Sequence, residues 1–378
     1  MRDAVEMTES GARRTPPAGE PPSGSGEKLS EETVAQLSSS PPLVFAGECD
    51  LLTAQLARAA RGEALVLHCA DRARAFGGQS ADVIRDRLRT QLQMAAVLTY
   101  AAAGPVVKLS AVGLPPAGPH QPGAVGRYEA AAARLNLVRA LGAGGYANLA
   151  QVHEWNRERV TRSPTLRHHT PLVDRIGRAL AFMRACGLDP ARLGAVELFA
   201  SHEGRDLRYD SALTRVDSRT GHRYNTSGHF VWTGAHTRDR EEQAGYLATI
   251  RNPVGVALGP GSDADEAMRL LGRLDPDREP GRMTFQVRMG AAALRDRLPA
   301  LVEKVTAEDH RVVWLCDPTP DGPRPLDDVV AEVTAFHDVH RALGTHPGGL
   351  TAELDGDGTA ALELAFAVAE LRRRPCRS

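Results

Sequence analysis

The sequence predicts an α/β fold, a (β/α)8 barrel preceded by extra helices, on three observations. Eight short apolar runs of β character recur along the chain, and helical patterns fill much of the space between them. The first run is not followed by the G-x-G-x-x-G that would open a doubly wound sheet. Each run is apolar enough to be buried on both faces, as the strands of a parallel barrel are.

The elements follow in order. Residues 1–28 are rich in Pro, Gly, Ser and Glu (TPPAGEPPSGSGEK). Such a stretch buries too little apolar area to offset the entropy of ordering it, so a disordered tail is expected, with 29–378 as a single domain. A helical pattern begins at Glu31, and a second helix covers 50–61 after Pro41-Pro42. The β-type runs are 64–68 (ALVLH), 105–109 (PVVKL), 196–200 (VELFA), 230–233 (FVWT), 254–258 (VGVAL), 284–287 (TFQV), 312–315 (VVWL) and 350–354 (LTAEL). Ser80 caps a helix running to about Tyr100, with Val83, Ile84, Leu88, Leu92 and Leu98 on one face. Further helices are expected over 134–141, 150–159, 173–186 (closed by Gly187), 326–343 (closed by Gly344) and 360–373.

Composition narrows the function classes. The chain has 378 residues, with 46 Lys+Arg against 47 Asp+Glu, a balance that argues against nucleic acid or a membrane surface as partner. Aromatic residues are only 4%, which argues against a stacking platform for bases or sugars. The five cysteines (Cys49, Cys69, Cys186, Cys316 and Cys376) include no C-x-x-C pair, so neither a disulfide framework nor a zinc ribbon is expected. No apolar run approaches the ~20 residues of a membrane span, and the reading is a cytoplasmic protein.

A barrel places its active site at the C-terminal ends of the strands. Those ends offer Cys69 and Asp71, Lys108 and Ser110, His202 and Glu203, then Ala235, His236 and Arg238. Ala257, Arg288, Cys316, Asp317 and Glu353 complete the set. Cationic groups suit phosphate or carboxylate, and His or Glu suits proton transfer. The plainer reading is that such ends are polar in any α/β barrel because they face water.

Many segments, colinear from residue 41 to 371, carry a resemblance. They include PPLVFAGE (41–48), QLQMAAVL (91–98), PVVK (105–108), VHEWN (152–156), ELFASHE, YDSALTR, HFVWTGAHTR, RNPVGVALGP, PGRMTFQVRMG, VVWLCDP, GTHPGGLTAEL and LELAFAVAE. Together they resemble the class II DAHP synthases. The resemblance implies a (β/α)8 barrel that condenses phosphoenolpyruvate with erythrose 4-phosphate, using a divalent metal held by Cys, His, Glu and Asp.

This sequence departs from that pattern at the metal. The family's cysteine, in G-G-D-C-A-E, falls on Arg72 within Cys69-Ala70-Asp71-Arg72-Ala73-Arg74, and its histidine, in C-D-P-M-H-G-N, falls on Pro320. The glutamate persists as Glu353, and the segment bearing the aspartate is missing before the last helix. Arginine cannot coordinate a cation and repels one, so the expectation is no metal and no cofactor. A rebuilt site from His68, Cys69, Cys316 and Glu353 is the alternative. The cation-bearing loop after Lys108 reads Ser110-Ala111-Val112-Gly113-Leu114-Pro115-Pro116, the family's Glu-Arg pair is Ala235-His236, and Ala257 replaces a lysine.

The retained and new groups give the expected site: His236, Glu203, Glu353 and Asp317 for acid–base work, and Lys108, Arg288, Arg72, Arg238 and Asp71 for binding. Lys108 and Arg288 are expected to point into the barrel mouth, and Arg72 to form an ion pair with Glu353 or Asp71. Set against this, Glu203, Arg215 and Arg238 serve equally as braces between loops. His153, His168, His169, His337 and His340 read as surface or packing residues. The functional reading is a repurposed, metal-independent enzyme of specialised metabolism that acts on a small anionic metabolite. The alternatives are a non-catalytic homologue that regulates a pathway enzyme, and a residual DAHP synthase. A second copy of the chain or a pathway enzyme is the expected protein partner.

Overall fold

The computed structural model describes residues 29–70, 80–111, 123–189, 197–234, 240–318, 324–354 and 358–373. The expected disordered tail lies outside them.

Two helices, α1 (Glu31–Ser39) and α2 (Ala46–Ala60), precede the first strand, β1 (Leu65–Ala70). The chain continues through α3 (Ala81–Ala102), β2 (Val106–Ala111), α4 (Ala124–Ala143), α5 (Leu149–Arg162), α6 (Thr170–Ala185) and β3 (Phe199–Glu203). Next come α7 (Leu207–Ala212), β4 (Thr214–Val216), β5 (Arg223–Asn225), β6 (Phe230–Thr233), α8 (Arg240–Leu247) and β7 (Val254–Leu258). The last part comprises α9 (Ala264–Leu274), β8 (Met283–Val287), α10 (Ala291–Ala307), β9 (Val313–Cys316), α11 (Leu326–Ala342), β10 (Gly349–Glu353) and α12 (Thr359–Arg373).

Eight of the strands close into a barrel in the order β1-β10-β9-β8-β7-β6-β3-β2, and every pairing in it is parallel. The (β/α)8 reading is therefore correct. All eight strands overlap the apolar runs, although β3 lies three residues later than expected, which brings Ser201, His202 and Glu203 into the strand. The antiparallel β4–β5 pair was not foreseen, nor were α7 to α10. α9 buries Ala267, Leu270, Leu271 and Leu274 along one face, and α10 carries Pro299 inside it, a residue that argues against a helix when read locally. The Ser80 cap is present: its hydroxyl accepts from the Val83 amide at 3.4 Å. No helix among the described residues is long and apolar enough to cross a membrane.

Alternation along the strands separates two packed layers. Leu65, Leu67, Cys69, Val254, Val256, Phe285, Trp314, Cys316 and Leu350 face outward into the layer shared with the helices. Val66, Val107, Leu109, Phe199, Phe230, Trp232, Val313 and Leu315 face inward and pack on Leu52, Leu56 and Ala59 of α2. Gly281, just before β8, has φ +84°, and a Cβ there would lie 2.2 Å from the Thr53 carbonyl oxygen of α2. That close approach sets α2 across the end where strands begin and leaves the other end for a site.

Candidate active site

Residues paired across a parallel sheet point to the same side. The register pairs His68 with Thr351, Ala70 with Glu353, Ser201 with Phe230, Glu203 with Trp232, and Gln286 with Leu315. The barrel interior above the apolar layer therefore holds His68, Ser201, Thr284, Gln286 and Thr351, with Glu203 and Glu353 at the rim. Arg288 and Asp317 lie two residues beyond Gln286 and Leu315. Their amides still donate to the neighbouring strands, to the Leu258 and Val287 carbonyls at 2.8 Å each, so the alternation holds and both face inward.

At the rim, Arg288 Nε lies 3.7 Å from Asp317 Oδ2, and Asp317 is fully buried. Burying that carboxylate is tolerable because a guanidinium stands beside it. The turn after Arg288 is held by Glu332 of α11, whose Oε1 accepts from the Met289 amide at 3.2 Å and the Gly290 amide at 2.8 Å. Arg324 pairs with the other oxygen of Glu332. Glu203 forms an ion pair with Arg205 at 2.7 Å, the bracing role considered from sequence. Below the rim, His68 Nε2 lies 2.9 Å from Ser201 Oγ, and Thr351 Oγ1 lies 3.4 Å from His68 Nδ1. Thr284 Oγ1 and both amide atoms of Gln286 are buried with no hydrogen-bond partner among the described residues.

Several expectations change. Lys108 pairs laterally with Leu67, so its side chain leaves the sheet on the outer side and does not enter the mouth. It donates to the Val106 carbonyl at 3.0 Å, and burial lowers its pKa, partly offset by Glu197. Its place near the end of an apolar run was misleading, because Lys108 shares the parity of Val106, which packs in the outer layer. His202 also faces outward and bonds Asp210 at 2.6 Å. Arg215 is a brace: it donates to the Ala212, Thr214, Leu37 and Ser40 carbonyls. Asp71, Arg72, His236 and Arg238 lie outside the described residues, and so does the expected ion pair of Arg72. Among the candidates, Glu203, Arg288, Asp317 and Glu353 all lie on the inner rim, where Arg288 and Asp317 are neighbours at 3.7 Å and Glu203, on β3, stands three strands away from β8. Ser201, Gln286 and Thr351 were missed, although each is a polar residue at an inward position of an otherwise apolar run, a period-2 signal.

The family's metal is tested by the donors present. Cys69 and Cys316 face outward, away from His68 and Glu353, and burial raises both thiols well above their ordinary pKa. The alternative set of His68, Cys69, Cys316 and Glu353 is thus divided between two sides of the sheet. Among the described residues, the rim offers the carboxylates Glu203, Asp317 and Glu353 but no cysteine or histidine, and the one cluster within ligand reach lies elsewhere, at His168, His169 and Glu363. These residues do not fit the family's divalent metal.

The sequence profile of the Class-II DAHP synthetase family matches residues 8–114 and 118–370. The chain belongs to the class II DAHP synthase family. It is 46% identical to the phospho-2-dehydro-3-deoxyheptonate aldolase of Streptomyces coelicolor, over 90% of this chain and 85% of that protein. It is 38% identical to the corresponding enzyme of Mycolicibacterium smegmatis, over 85% of this chain and 79% of that protein. A truncated 3-deoxy-D-arabino-heptulosonate 7-phosphate synthase from Thermotoga maritima shares 12% identity and a TM-score of 0.37, over 82% of this chain and 87% of that one. As a class II DAHP synthase homologue, the chain keeps the closed parallel barrel, with Glu353 at its inner rim.

Proposed function

We propose that this class II DAHP synthase homologue is a metal-independent enzyme of specialised metabolism that acts on a small anionic metabolite at the barrel mouth. The observation that carries the reading is the inward pairing of Arg288 with buried Asp317 at 3.7 Å, on a rim shared with Glu203 and Glu353. Arg288 supplies a fork for a carboxylate or phosphate, and Asp317 holds that fork in place. Glu203 and Glu353 are rim groups able to take or give a proton, with His236 as a further candidate from sequence. The replacements at Arg72 and Pro320, and the outward course of Lys108, support loss of the doubly phosphorylated substrate pair. Each missing charge-assisted bond removes about 1.5–3 kcal/mol of binding.

One observation favours a second reading, a residual DAHP synthase: the 46% identity to a protein named for that activity. Purified protein incubated with phosphoenolpyruvate and erythrose 4-phosphate, with and without added manganese or cobalt, separates the two. The expected result is no DAHP above background in either case, together with calorimetric binding of a small carboxylate or phosphate that Arg288→Ala weakens. Metal-stimulated DAHP formation would overturn the proposal. Absence of any anion binding would turn the reading toward a non-catalytic homologue that regulates a pathway enzyme.

A further inference from the structure

A second group of ligating side chains lies on the helical layer outside the barrel. His168 and His169 occupy a single 3-10 turn, Arg167–His169, between α5 and α6. Glu363 and Glu370 lie seven residues, about two turns, apart on α12 and so share a face. His169 is 3% exposed and its ring stacks on Phe366 at 4.2 Å, whereas His168 is 60% exposed.

The donor atoms converge. One ligand atom from each of His168, His169 and Glu363 lies within 4.8 Å of the other two. Both Nε2 atoms approach the same oxygen: His169 Nε2 is 3.0 Å from Glu363 Oε1, and His168 Nε2 is 3.5 Å from it. A tetrahedral ion with Zn–N and Zn–O bonds of about 2.0–2.1 Å sets ligand-to-ligand edges of roughly 3.3 Å, between those two distances. A separate observation points the same way. Glu363 Oε2 and His169 Nδ1 are buried and make no hydrogen bond among the described residues, a state that is costly for a carboxylate oxygen. His169 Nδ1 faces Glu370 Oε1 at 3.5 Å. Without an ion the Nε2 hydrogen donates to Glu363 Oε1 at 3.0 Å; a cation seated between them takes the place of that hydrogen, with the ring proton then on Nδ1, facing Glu370.

We propose that His168, His169 and Glu363 form a binding site for a divalent cation of the zinc class, with Glu370 orienting the His169 ring. Two imidazoles and one carboxylate suit zinc, nickel or cobalt better than magnesium or calcium, and three protein ligands leave a fourth position for water. The bound ion would join the α5–α6 corner to α12, the helix that follows the strand carrying Glu353. The site does not depend on the reading of the barrel mouth.

The full-length protein, stripped by a chelator and dialysed, is titrated with Zn2+ by calorimetry and with Co2+ by visible absorbance. The expected result is a single saturable site, a tetrahedral Co2+ spectrum without a thiolate charge-transfer band, and a rise in thermal midpoint with zinc. His168→Gln changes an exposed side chain and should fold normally; it is expected to weaken binding about tenfold or more and to abolish the rise. Glu363→Gln is expected to do the same. Wild-type protein that binds neither ion, binding of equal strength in both variants, or a thiolate band would each overturn the site.

Discussion

The two sides of the barrel sheet connect their buried polar groups differently, although each keeps atoms without a hydrogen-bond partner among the described residues, His202 Nδ1 and Asp210 Oδ2 on the outer side and Thr284 Oγ1 and the Gln286 amide on the inner. On the outer side, His202 bonds Asp210 at 2.6 Å, and Asn225 donates to that carboxylate at 3.0 Å and to the Tyr246 hydroxyl at 2.9 Å. Tyr246 in turn meets Thr214 at 2.8 Å, so the network ties β3 to the β4–β5 pair and α8. On the inner side, Ser201, the residue before His202, reaches His68, while Gln286 and Thr284 join no such network among the described residues. A connected network in a low-dielectric layer stabilises and specifies the fold. Polar atoms left open toward a barrel axis stabilise nothing by themselves, and they retain the capacity to bind water or a ligand. Successive residues of one strand thus divide the work of holding the barrel and furnishing its interior.

The largest expected effect tests the outer network. Asp210→Ala removes a fully buried carboxylate from His202 and Asn225, and should lower stability by about 3–5 kcal/mol in urea denaturation. A loss below about 1 kcal/mol would show that the outer layer is no more committed to stability than the inner one.

A second test of the outer layer uses pH. His337 and His340 on α11 are both held at a pKa of about 3. Burial is the main cause for each, with Arg372, His340 and Arg341 adding to it at His337 and His346 at His340. An unfolded histidine titrates near about 6.5, so below that pH the unfolded chain binds protons that the folded chain does not. The stabilisation is fully present above about pH 6.5 and is lost progressively as pH falls toward 3. Between about pH 7 and pH 5 the two residues should cost about 2–4 kcal/mol, at about 1.36 kcal/mol per unit for each. His340→Gln should flatten roughly half of that slope in thermal midpoints measured across the range.

The sharpest contrast in binding concerns two cations. Arg288→Ala should weaken calorimetric binding of phosphoenolpyruvate, used as an anionic probe, by about 1.5–3 kcal/mol, roughly tenfold or more. Lys108→Met, on the outer side, should leave that affinity unchanged. Equal losses in the two variants would contradict the assignment of Lys108 to the outer face.

The fold was legible because its signals are local and repeated. Eight apolar runs, the Ser80 cap, and the closing glycines Gly187 and Gly344, which adopt φ of 81° and 67°, each follow from backbone chemistry within a few residues. α10 escaped notice because Pro299 speaks against a helix locally, yet Leu294, Leu298, Leu301 and Val302 are buried and packing holds it. The rim was legible in part. Arg288, Asp317, Glu203 and Glu353 follow from counting to strand ends, whereas Lys108, expected in the mouth, and His202, counted among the strand ends, occupy the other side of the pleat.

What the sequence by itself determined, then, is the kind of element at most positions, the closed barrel and the family, because hydrophobic period, caps and colinear motifs are written along the chain. Only the tertiary structure decided which polar residues face the axis. A shift of one residue in strand register reverses every side chain, and the three-residue displacement of β3 was invisible until its neighbours fixed it. The same holds for His168 and Glu363, 195 positions apart in the numbering, which are brought within 3.5 Å only by the packing of α12 against the α5–α6 corner.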